Sequence, residues 1–564
     1  MKKRTTAITA IVTLSMVLLA ACGGGGKPKQ AIKSVATTTT TAVETSVVTE
    51  ATTTTAAAAP VVGPPATTAK PKTVVTAPPV GADPNAIIRV GQDLVNGLGS
   101  YFDPSRYNSF PENFINLMYD SMVHYSSRGY EPGLATEWKF PNARTVELTL
   151  RHDVKFQDGT PFNADAVKFS WDRVIARPSS QMTKVAGIAA MDSVESIGDD
   201  KVIVHLKSDI AGDWRDRLLY SSAAGLGVVS PTVAKAIGDA KMNETPVNAG
   251  AGPYAFKSHQ PGQKLELRKW DGYWNKDGQV LGGVDFIHVQ AGAPRVTALA
   301  GGVIDYAIVN PADVKGLRGR GIDVEEILPE LPTSFYQFCT NKAPFNNLEA
   351  RKAIAYALNR DDYIKSAYQG FGKANAQFLS AANDWFQSVP TPYGYDLDKA
   401  KASLAAAGVA PGTKITFITN STPLEAAIAQ TFQDQMKAIG LDVEIYQSQN
   451  SFTDIQKVDW NVYSGGGSIP TSVSAFIING GVGNPCKYDN PGVASTYLRT
   501  QNPQATQAEM KAAWVDFQNA VYTDLPFVGI ANPVRLVAHT KKVKGFSGDT
   551  NDGYLPSWHF YMTK

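Results

Sequence analysis

Histidine, cysteine and acidic residues are the side chains that could carry catalysis or hold a metal in this chain. The seven histidines are scattered along 564 residues, and no two share a spacing typical of metal ligands. The sequence contains no HExxH zinc motif, no Walker A or GxGxxG loop and no GxSxG elbow. Acidic residues are equally dispersed, so no general acid and base pair stands out. We therefore predict a protein that is not an enzyme and that needs no metal or cofactor.

The first of the three cysteines follows a hydrophobic leader. Residues 2–4 are basic, and the apolar run over residues 8–19 is too short for an ordinary membrane span. The sequence Leu19-Ala20-Ala21-Cys22 resembles the bacterial lipobox, in which the cysteine is lipidated. We predict that residues 1–22 are a lipoprotein signal peptide and that lipid on Cys22 anchors the protein to the membrane. An ordinary signal peptide with a chance cysteine is the alternative.

Residues 23–86 have the composition of a linker. They are rich in Thr, Ala and Pro and contain no aromatic residue. Such a segment cannot bury enough apolar area to offset its conformational entropy, so we predict a disordered tether.

Length and charge limit the classes of protein to consider. A chain of 564 residues is long enough for several domains. Its formal net charge is only +2, which offers no basis for a nucleic-acid partner.

The stretch from Pro132 to Val174 shows how the chain builds local structure. The alternation of apolar residues over Val146–Leu150 predicts a half-buried strand. Asp158-Gly159 is a turn dipeptide, since glycine accepts a positive φ without steric cost. Asn163 is placed to cap a helix whose apolar face includes Trp171.

A second stretch predicts a parallel strand pair. Ile415–Ile418 and Leu441–Ile445 read as strands, separated by a helix that Thr422 caps and Gly440 ends. Glu425 lies three residues after the cap, which is the capping-box spacing. A strand, helix and strand with short connections imply parallel strands and a right-handed crossover.

The order of motifs resembles that of the family 5 extracellular solute-binding proteins, which are the peptide and nickel receptors of ABC importers. The resemblance covers about Ile87 to the C-terminus. It rests on Pro132-Gly133-Leu134-Ala135, Trp138, Leu150-Arg151, Val154-Lys155-Phe156, Asp158-Gly159-Thr160-Pro161, Asp165-Ala166-Val167, Gly250-Ala251-Gly252-Pro253-Tyr254, Tyr273-Trp274, and Arg295, Leu299, Gly301 and Asp305.

The resemblance implies an α/β fold of the two-lobed periplasmic-binding-protein type (type II, cluster C-like), with an extra small domain inserted in the first lobe. We name these parts lobe I (residues 87–130, 250–332 and 530–564), the small domain (131–249) and lobe II (333–529). The ligand would lie between the lobes.

The resemblance also bears on the other two cysteines. Some receptors of the family have a disulfide that joins the start of lobe II to a later loop, which implies a Cys339–Cys486 bond. Two free buried thiols are the alternative.

Candidate ligand-binding residues are aromatic residues and glycines in loops near the hinge. Core packing is the alternative for each aromatic residue, whereas close approach of a ligand is one reason to retain three successive glycines. The candidates are Tyr101, Phe102, Phe335, Tyr336, Trp385, Phe386, Gly465, Gly466, Gly467 and Ser468.

Ser468 occupies an informative position in this set. In peptide-binding members of the family, an Asp after the corresponding strand pairs with the ammonium group of the peptide. Counting from Trp460 places Ser468 there, and no acidic residue occurs between Trp460 and Tyr488. We therefore expect that a free peptide α-amine is not the main anchor at this segment.

Together these features predict a monomeric, extracytoplasmic receptor anchored to the cell membrane by its lipid. It would capture a peptide-like or other small solute and deliver it to the permease subunits of an ABC importer. A sensor or scavenger of the same fold without a transporter, a secreted hydrolase such as a peptidase, and a structural wall protein are the alternatives.

Overall fold

The structure is a computed structural model, and it describes residues 81–94, 102–106, 113–126, 129–177, 186–216, 218–220, 226–276, 279–327, 332–377, 385, 387–468, 476–477, 483–545 and 560–564. The predicted signal peptide with Cys22, most of the predicted linker, and the candidates Tyr101 and Phe386 lie outside the described residues.

The strands form three sheets of four or more strands and two short ribbons. They are β1 (Ile87–Gln92), β2 (Val123–Ser126), β3 (Gly129–Pro132), β4 (Ala135–Asn142), β5 (Thr145–Leu150), β6 (Met191–Ile197), β7 (Lys201–Leu206), β8 (Tyr254–Gln260), β9 (Lys264–Lys269), β10 (Gly283–His288), β11 (Tyr306–Ile308), β12 (Asp323–Ile327), β13 (Pro332–Phe338), β14 (Gly372–Ala374), β15 (Thr413–Asn420), β16 (Leu441–Ser448), β17 (Val462–Ser468), β18 (Phe527–Pro533), β19 (Arg535–His539), β20 (Val543–Lys544) and β21 (Tyr561–Met562).

The helices are short to medium in length. They are α1 (Asn113–Met118), α2 (Ala164–Ile175), α3 (Ala186–Ala189), α4 (Ala211–Asp216), α5 (Pro231–Glu244), α6 (Ala293–Ala300), α7 (Val314–Arg318), α8 (Leu348–Ala357), α9 (Arg360–Ser366), α10 (Leu397–Ala406), α11 (Pro423–Ala438), α12 (Ser451–Asp454), α13 (Pro491–Thr500) and α14 (Gln507–Asp524). Within the described ranges, none of them combines the length and the hydropathy needed to cross a bilayer.

Each lobe is built around one mixed sheet. The sheet of lobe I has the strand order β12-β19-β11-β1-β10-β9-β8, in which β1 pairs in parallel with β10 and β11. The sheet of lobe II has the order β14-β18-β13-β17-β15-β16, in which β15 pairs in parallel with β16 and β17. The predicted parallel pair with α11 as its crossover is therefore confirmed.

The small domain is an antiparallel sheet, β4-β5-β7-β6, packed on lobe I. Its apolar residues and those of lobe I form one continuous buried cluster, which includes Leu148 and Trp171 from the former and Phe286 from the latter. The local predictions hold here: Gly159 has a φ of 87°, and the side chain of Asn163 accepts a hydrogen bond from Ala166 N at 3.0 Å.

Two strand connections join the lobes. The chain passes from β12 in lobe I to β13 in lobe II, and it returns from β18 in lobe II to β19 in lobe I. The two crossing segments pair with each other in both lobes: β12 is antiparallel to β19 in lobe I, and β13 is antiparallel to β18 in lobe II. Only Val534 separates β18 from β19, so the return crossing has little slack.

The sheet pairing moves two of the predicted boundaries. Lobe II extends past residue 529, since β18 remains in its sheet to Pro533, where it pairs with Gly372. The predicted linker also extends too far, because Asp83 N donates a hydrogen bond to Met562 O at 2.8 Å and Ala82 bridges Thr563. The ordered chain thus includes residues before Ile87.

Cys339 and Cys486 form a disulfide in lobe II, with their Cα atoms 5.3 Å apart. Both residues are buried in the cluster that also contains Phe335, Trp460 and Trp514. The bond ties the end of β13 to the segment that precedes α13, across a sequence separation of 147 residues.

Asp120 is a buried carboxylate that connects two segments of lobe I, residues 120–124 and 273–274. It accepts hydrogen bonds from Tyr273 OH and Trp274 Nε1, each at 2.8 Å, and pairs with His124 Nε2 at 2.7 Å. Burial opposes the ionisation of both partners, but their mutual attraction and these hydrogen bonds lower the pKa of Asp120 and raise the pKa of His124.

We predict that Asp120→Asn lowers the unfolding free energy by about 3 kcal/mol, because it removes the carboxylate that pairs with the largely buried imidazolium of His124. The contribution of His124 is complete below its ordinary pKa of 6.5 and is lost as the pH rises through the raised value. That of Asp120 is complete above 3.8 and is lost as the pH falls through the lowered value. The difference in melting temperature between the variant and the wild type should therefore be largest between pH 3.8 and pH 6.5, where both groups contribute fully.

The control is Asp192→Asn, which changes an exposed carboxylate on β6 and should leave the melting temperature within about 1 °C. An Asp120→Asn effect that is equally large at pH 5.5 and pH 9 would show that the ion pair is not its cause.

Candidate ligand-binding site

The lobes approach each other at one edge of the lobe II sheet. β13 begins at this edge, β18 leaves it toward lobe I, and β15 and β17 end there. The first turn of α11 follows β15 directly. From lobe I, the residue before α6 reaches the same place, since a Cβ on Gly292 would lie 3.6 Å from Cγ of Pro423. We call this region the cleft edge.

Polar side chains of lobe II gather at the cleft edge. Thr419 Oγ1 and Ser464 Oγ both donate to Glu425 Oε2, at 2.6 and 3.1 Å. Ser334 Oγ and Tyr368 OH lie 2.6 Å apart next to them. Such a set of hydroxyls around one carboxyl group suits the few placed polar contacts of a small-molecule site.

Glu425 is electrostatically unusual within this group. Burial raises its pKa, and the hydrogen bonds from Thr419 and Ser464 offset only part of that effect. Burial is the largest cause that raises the pKa values of the hydroxyls of Tyr336, Tyr368 and Tyr463. The negative charge of Glu425 raises these pKa values further. Sequence reasoning assigned Glu425 to helix capping, because its approach to β17 depends on a strand pairing that local spacing does not reveal.

Phe102 was predicted to bind ligand, but it belongs to the core of lobe I. It is 1% exposed, and its ring makes edge-to-face contacts with Phe114, Phe256 and His259. Core packing is therefore the correct interpretation of this residue.

Phe335 and Tyr336 are also core residues and not cleft residues. They are neighbours on β13, so their side chains point to opposite faces of the sheet. Phe335 packs against Phe476 and Phe527, whereas Tyr336 packs against aromatic residues that include Phe417. Both are at most 2% exposed. Phe335 and Tyr336 thus fill two separate cores, and this packing accounts for two successive aromatic residues without a ligand.

The glycine run lies inside β17 and not in a loop after it. Gly465 pairs with Phe335, and a Cβ there would lie 2.8 Å from the Phe335 ring. Gly465 is therefore required by packing against the core. Gly466 is exposed, with only Thr333 O at 3.9 Å from a built Cβ, and Gly467 and Ser468 continue the strand toward the cleft edge. Ligand contact by these last three residues stays a prediction.

Trp385 lies where the small domain meets lobe II. The guanidinium of Arg215 stands 5.2 Å from the centre of its ring, and the same group donates to Asn502 O at 3.5 Å. Gly212 N, on the same helix α4, donates to Gln501 O at 3.0 Å. The predicted role of Trp385 in ligand binding remains a prediction, but its position links two parts of the molecule.

Among the described residues, no group of three or more His, Cys, Asp or Glu side chains is arranged to hold a metal ion. Charged side chains form ion pairs within the fold, and Asp305, for example, pairs with Arg89 at 2.7 Å.

Comparison with known proteins assigns the chain to a family. The profile of the bacterial extracellular solute-binding proteins, family 5 Middle, matches residues 129–484. The chain belongs to this family. The resemblance of its motifs and the two-lobed α/β fold class are thereby confirmed. Members of the family are extracytoplasmic binding proteins that work with ABC importers.

Individual relatives are distant but cover most of the chain. The glutathione-binding protein GsiB of Pectobacterium atrosepticum is 24% identical over 420 residues, which are 71% of this chain and 80% of that protein. The probable D,D-dipeptide-binding periplasmic protein DdpA of Escherichia coli is 27% identical over 454 residues, 76% and 85% of the two chains. The periplasmic binding protein DppA from Helicobacter pylori, in complex with the peptide STSA, has a TM-score of 0.73 at 24% identity and covers 85% of this chain and 98% of its own.

We predict that Gly212→Ala separates the small domain from lobe II. A Cβ at this position would lie 2.6 Å from Gln501 O and 2.7 Å from its Cα, so the backbone contact cannot persist unchanged. Hydrogen–deuterium exchange should become faster in peptides that cover α4 and residues 500–504.

The matched control is Gly316→Ala in α7, where a Cβ would meet no atom within 4 Å. It should leave exchange in both peptides unchanged. Unchanged exchange in the Gly212→Ala protein would mean that this contact does not hold the two parts together.

Proposed function

We propose that this solute-binding protein is a lipid-anchored receptor that captures a peptide-like or other small solute at the cleft edge and delivers it to the permease of an ABC importer. The observation that carries the proposal is the pair of antiparallel crossings, β12–β13 and β18–β19, with polar groups of lobe II at the edge that faces lobe I. Two crossing strands permit hinge closure while they hold both lobes in register.

The ligand class is narrowed by relatives and by local chemistry. The relatives bind glutathione, dipeptides or peptides according to their names, which supports a solute of that size. Ser468 stands where peptide-binding members place an acidic anchor, and a hydroxyl cannot neutralise a buried ammonium. We therefore propose that the ligand is an atypical or blocked peptide, or a non-peptide, because the segment that contains Ser468 offers no acidic anchor for a free α-amine.

The alternative functions, a sensor or scavenger and a hydrolase, predict different observations. A sensor or scavenger would use the same cleft without a transporter, and a gene set lacking a permease and an ATPase would favour it. A hydrolase requires turnover of the bound solute, and we propose that the protein is not catalytic because its sequence contains none of the hydrolase motifs sought above.

Membrane anchoring follows from the proposed lipid on Cys22. We predict that Cys22→Ala shifts the protein from the membrane fraction to the soluble extracytoplasmic fraction, because a thioether-linked lipid can no longer form. Fractionation followed by immunoblotting measures this, with Cys339→Ala/Cys486→Ala as a control that keeps the anchor. Membrane association of Cys22→Ala at the wild-type level would refute the proposal.

Solute capture is tested most directly by identifying what the protein carries. We predict that native mass spectrometry of the purified protein reveals a bound small molecule that is absent after mild denaturation and refolding. Adding that molecule back should reduce the radius of gyration in small-angle scattering, and cells without the gene should import it more slowly. A bound solute that the protein converts to product would favour the hydrolase.

A further inference from the structure

The starting observation is the orientation of the Glu425 side chain. Glu425 lies in the first turn of α11, and its backbone N donates to Thr422 Oγ1 at 3.2 Å, which is one half of a capping box. Its carboxylate does not complete the box. It extends to Thr419 on β15 and Ser464 on β17 at the cleft edge.

The same helix position in α14 shows the usual structural role. There Glu509 Oε2 accepts hydrogen bonds from Thr506 N and Thr506 Oγ1, both at 2.8 Å, so the capping box is complete. These hydrogen bonds lower the pKa of Glu509. Helix capping thus accounts for Glu509 but leaves the direction of the Glu425 carboxylate unexplained.

In the part of the chain that the structure describes, four other buried carboxylates are paired with a cation. Within the described part of the chain, no lysine, arginine or histidine forms an ion pair with Glu425. Both of its hydrogen bonds go to Oε2, which leaves Oε1 for another donor. The paired carboxylates are Asp103 with Arg173, Asp120 with His124, Asp285 with Arg268 and Asp305 with Arg89.

We infer that Glu425 receives a cationic group of the ligand, an ammonium or a guanidinium, from the lobe II side of the cleft. The inference rests on the proposed solute-binding function and specifies its ligand class. It places the anionic contact on α11 and not on the segment that contains Ser468.

The physical reason is the free-energy cost of a carboxylate that has no counter-charge. A partly desolvated carboxylate without a counter-charge is unfavourable, and two hydroxyl donors compensate only part of the lost hydration. A ligand cation would supply the missing counter-charge. The receptor thus holds a site whose stability improves when a cation binds.

The first experiment compares ligand-free proteins, prepared by mild denaturation and refolding. Glu425→Gln keeps the shape and the acceptor oxygen but removes the charge, so its melting temperature should exceed that of the wild type. Because the folded-state pKa of Glu425 is raised, wild-type stability falls as the pH rises through that value, and the advantage of the variant should grow from pH 4.5 to pH 8. The other titratable groups that interact with Glu425 among the described residues are the hydroxyls of Tyr336, Tyr368 and Tyr463, which stay neutral in this range.

The matched control is Glu509→Gln, which removes a carboxylate from the same position of a helix. It should lower the melting temperature slightly, since a glutamine oxygen can still complete the capping box but the negative charge that favours a helix N-terminus is lost. If Glu425→Gln also lowers the melting temperature of the ligand-free protein, Glu425 is a structural residue and the inference is overturned.

The second experiment uses calorimetry with two pairs of probes that differ in the cation alone. Trialanine against N-acetyltrialanine tests an α-ammonium, and L-arginine against L-citrulline tests a guanidinium. The wild type should bind the charged member of one pair about tenfold or more tightly, and Glu425→Gln should abolish that difference while Glu509→Gln retains it. If neither pair binds, the stability comparison decides.

The co-purified molecule gives a separate result. A ligand with an ammonium or guanidinium group that is lost from Glu425→Gln supports the inference. A neutral or anionic ligand that Glu425→Gln retains with unchanged affinity overturns the inference, yet leaves the proposed function of solute capture intact.

Discussion

The geometry of the whole molecule depends on the backbone hydrogen bonds of the two crossing strands. β19 pairs with β12 in lobe I, and β18 pairs with β13 in lobe II, so each lobe is held to the other by the same two segments of chain. With Val534 alone between β18 and β19, a shift of one sheet must be transmitted to the other. This constraint sets which groups face each other at the cleft edge.

In lobe II the apolar packing and the polar cleft edge occupy different places along the strands. Neighbouring side chains of β13 point to opposite faces of the sheet. Phe335 and Tyr336 on β13 fill the two faces of the sheet, and Gly465 has no side chain because the Phe335 ring occupies that space. The polar groups lie one step further, where β15 and β17 end and α11 begins. Rigid aromatic packing behind a polar edge keeps the hydroxyl groups in place around Glu425.

Charge follows a consistent pattern across the fold. Several buried carboxylates of lobe I meet a cation, and the partner can be distant in sequence, as when Asp305 meets Arg89 across 216 residues. These pairs stabilise the native arrangement because the buried carboxylate alone would lack a counter-charge. Glu425 has no such partner among the described residues, and it lies at the cleft edge, where we propose that the ligand binds.

Local sequence determined the elements, and tertiary structure decided the site. The strand–helix–strand unit from Thr413 to Ser448 and the cap at Asn163 follow from spacing of a few residues, because propensity and capping act over one or two turns. Aromatic residues near the hinge could not be divided into core and cleft, since Phe102 and Phe335 differ from ligand contacts only in their three-dimensional neighbours. Likewise, spacing identified Glu425 as a capping residue, but only the pairing of β15 with β17 brings Ser464 to its carboxylate. That contact joins residues 39 positions apart, and long-range contacts of this kind carry no signal in a local pattern.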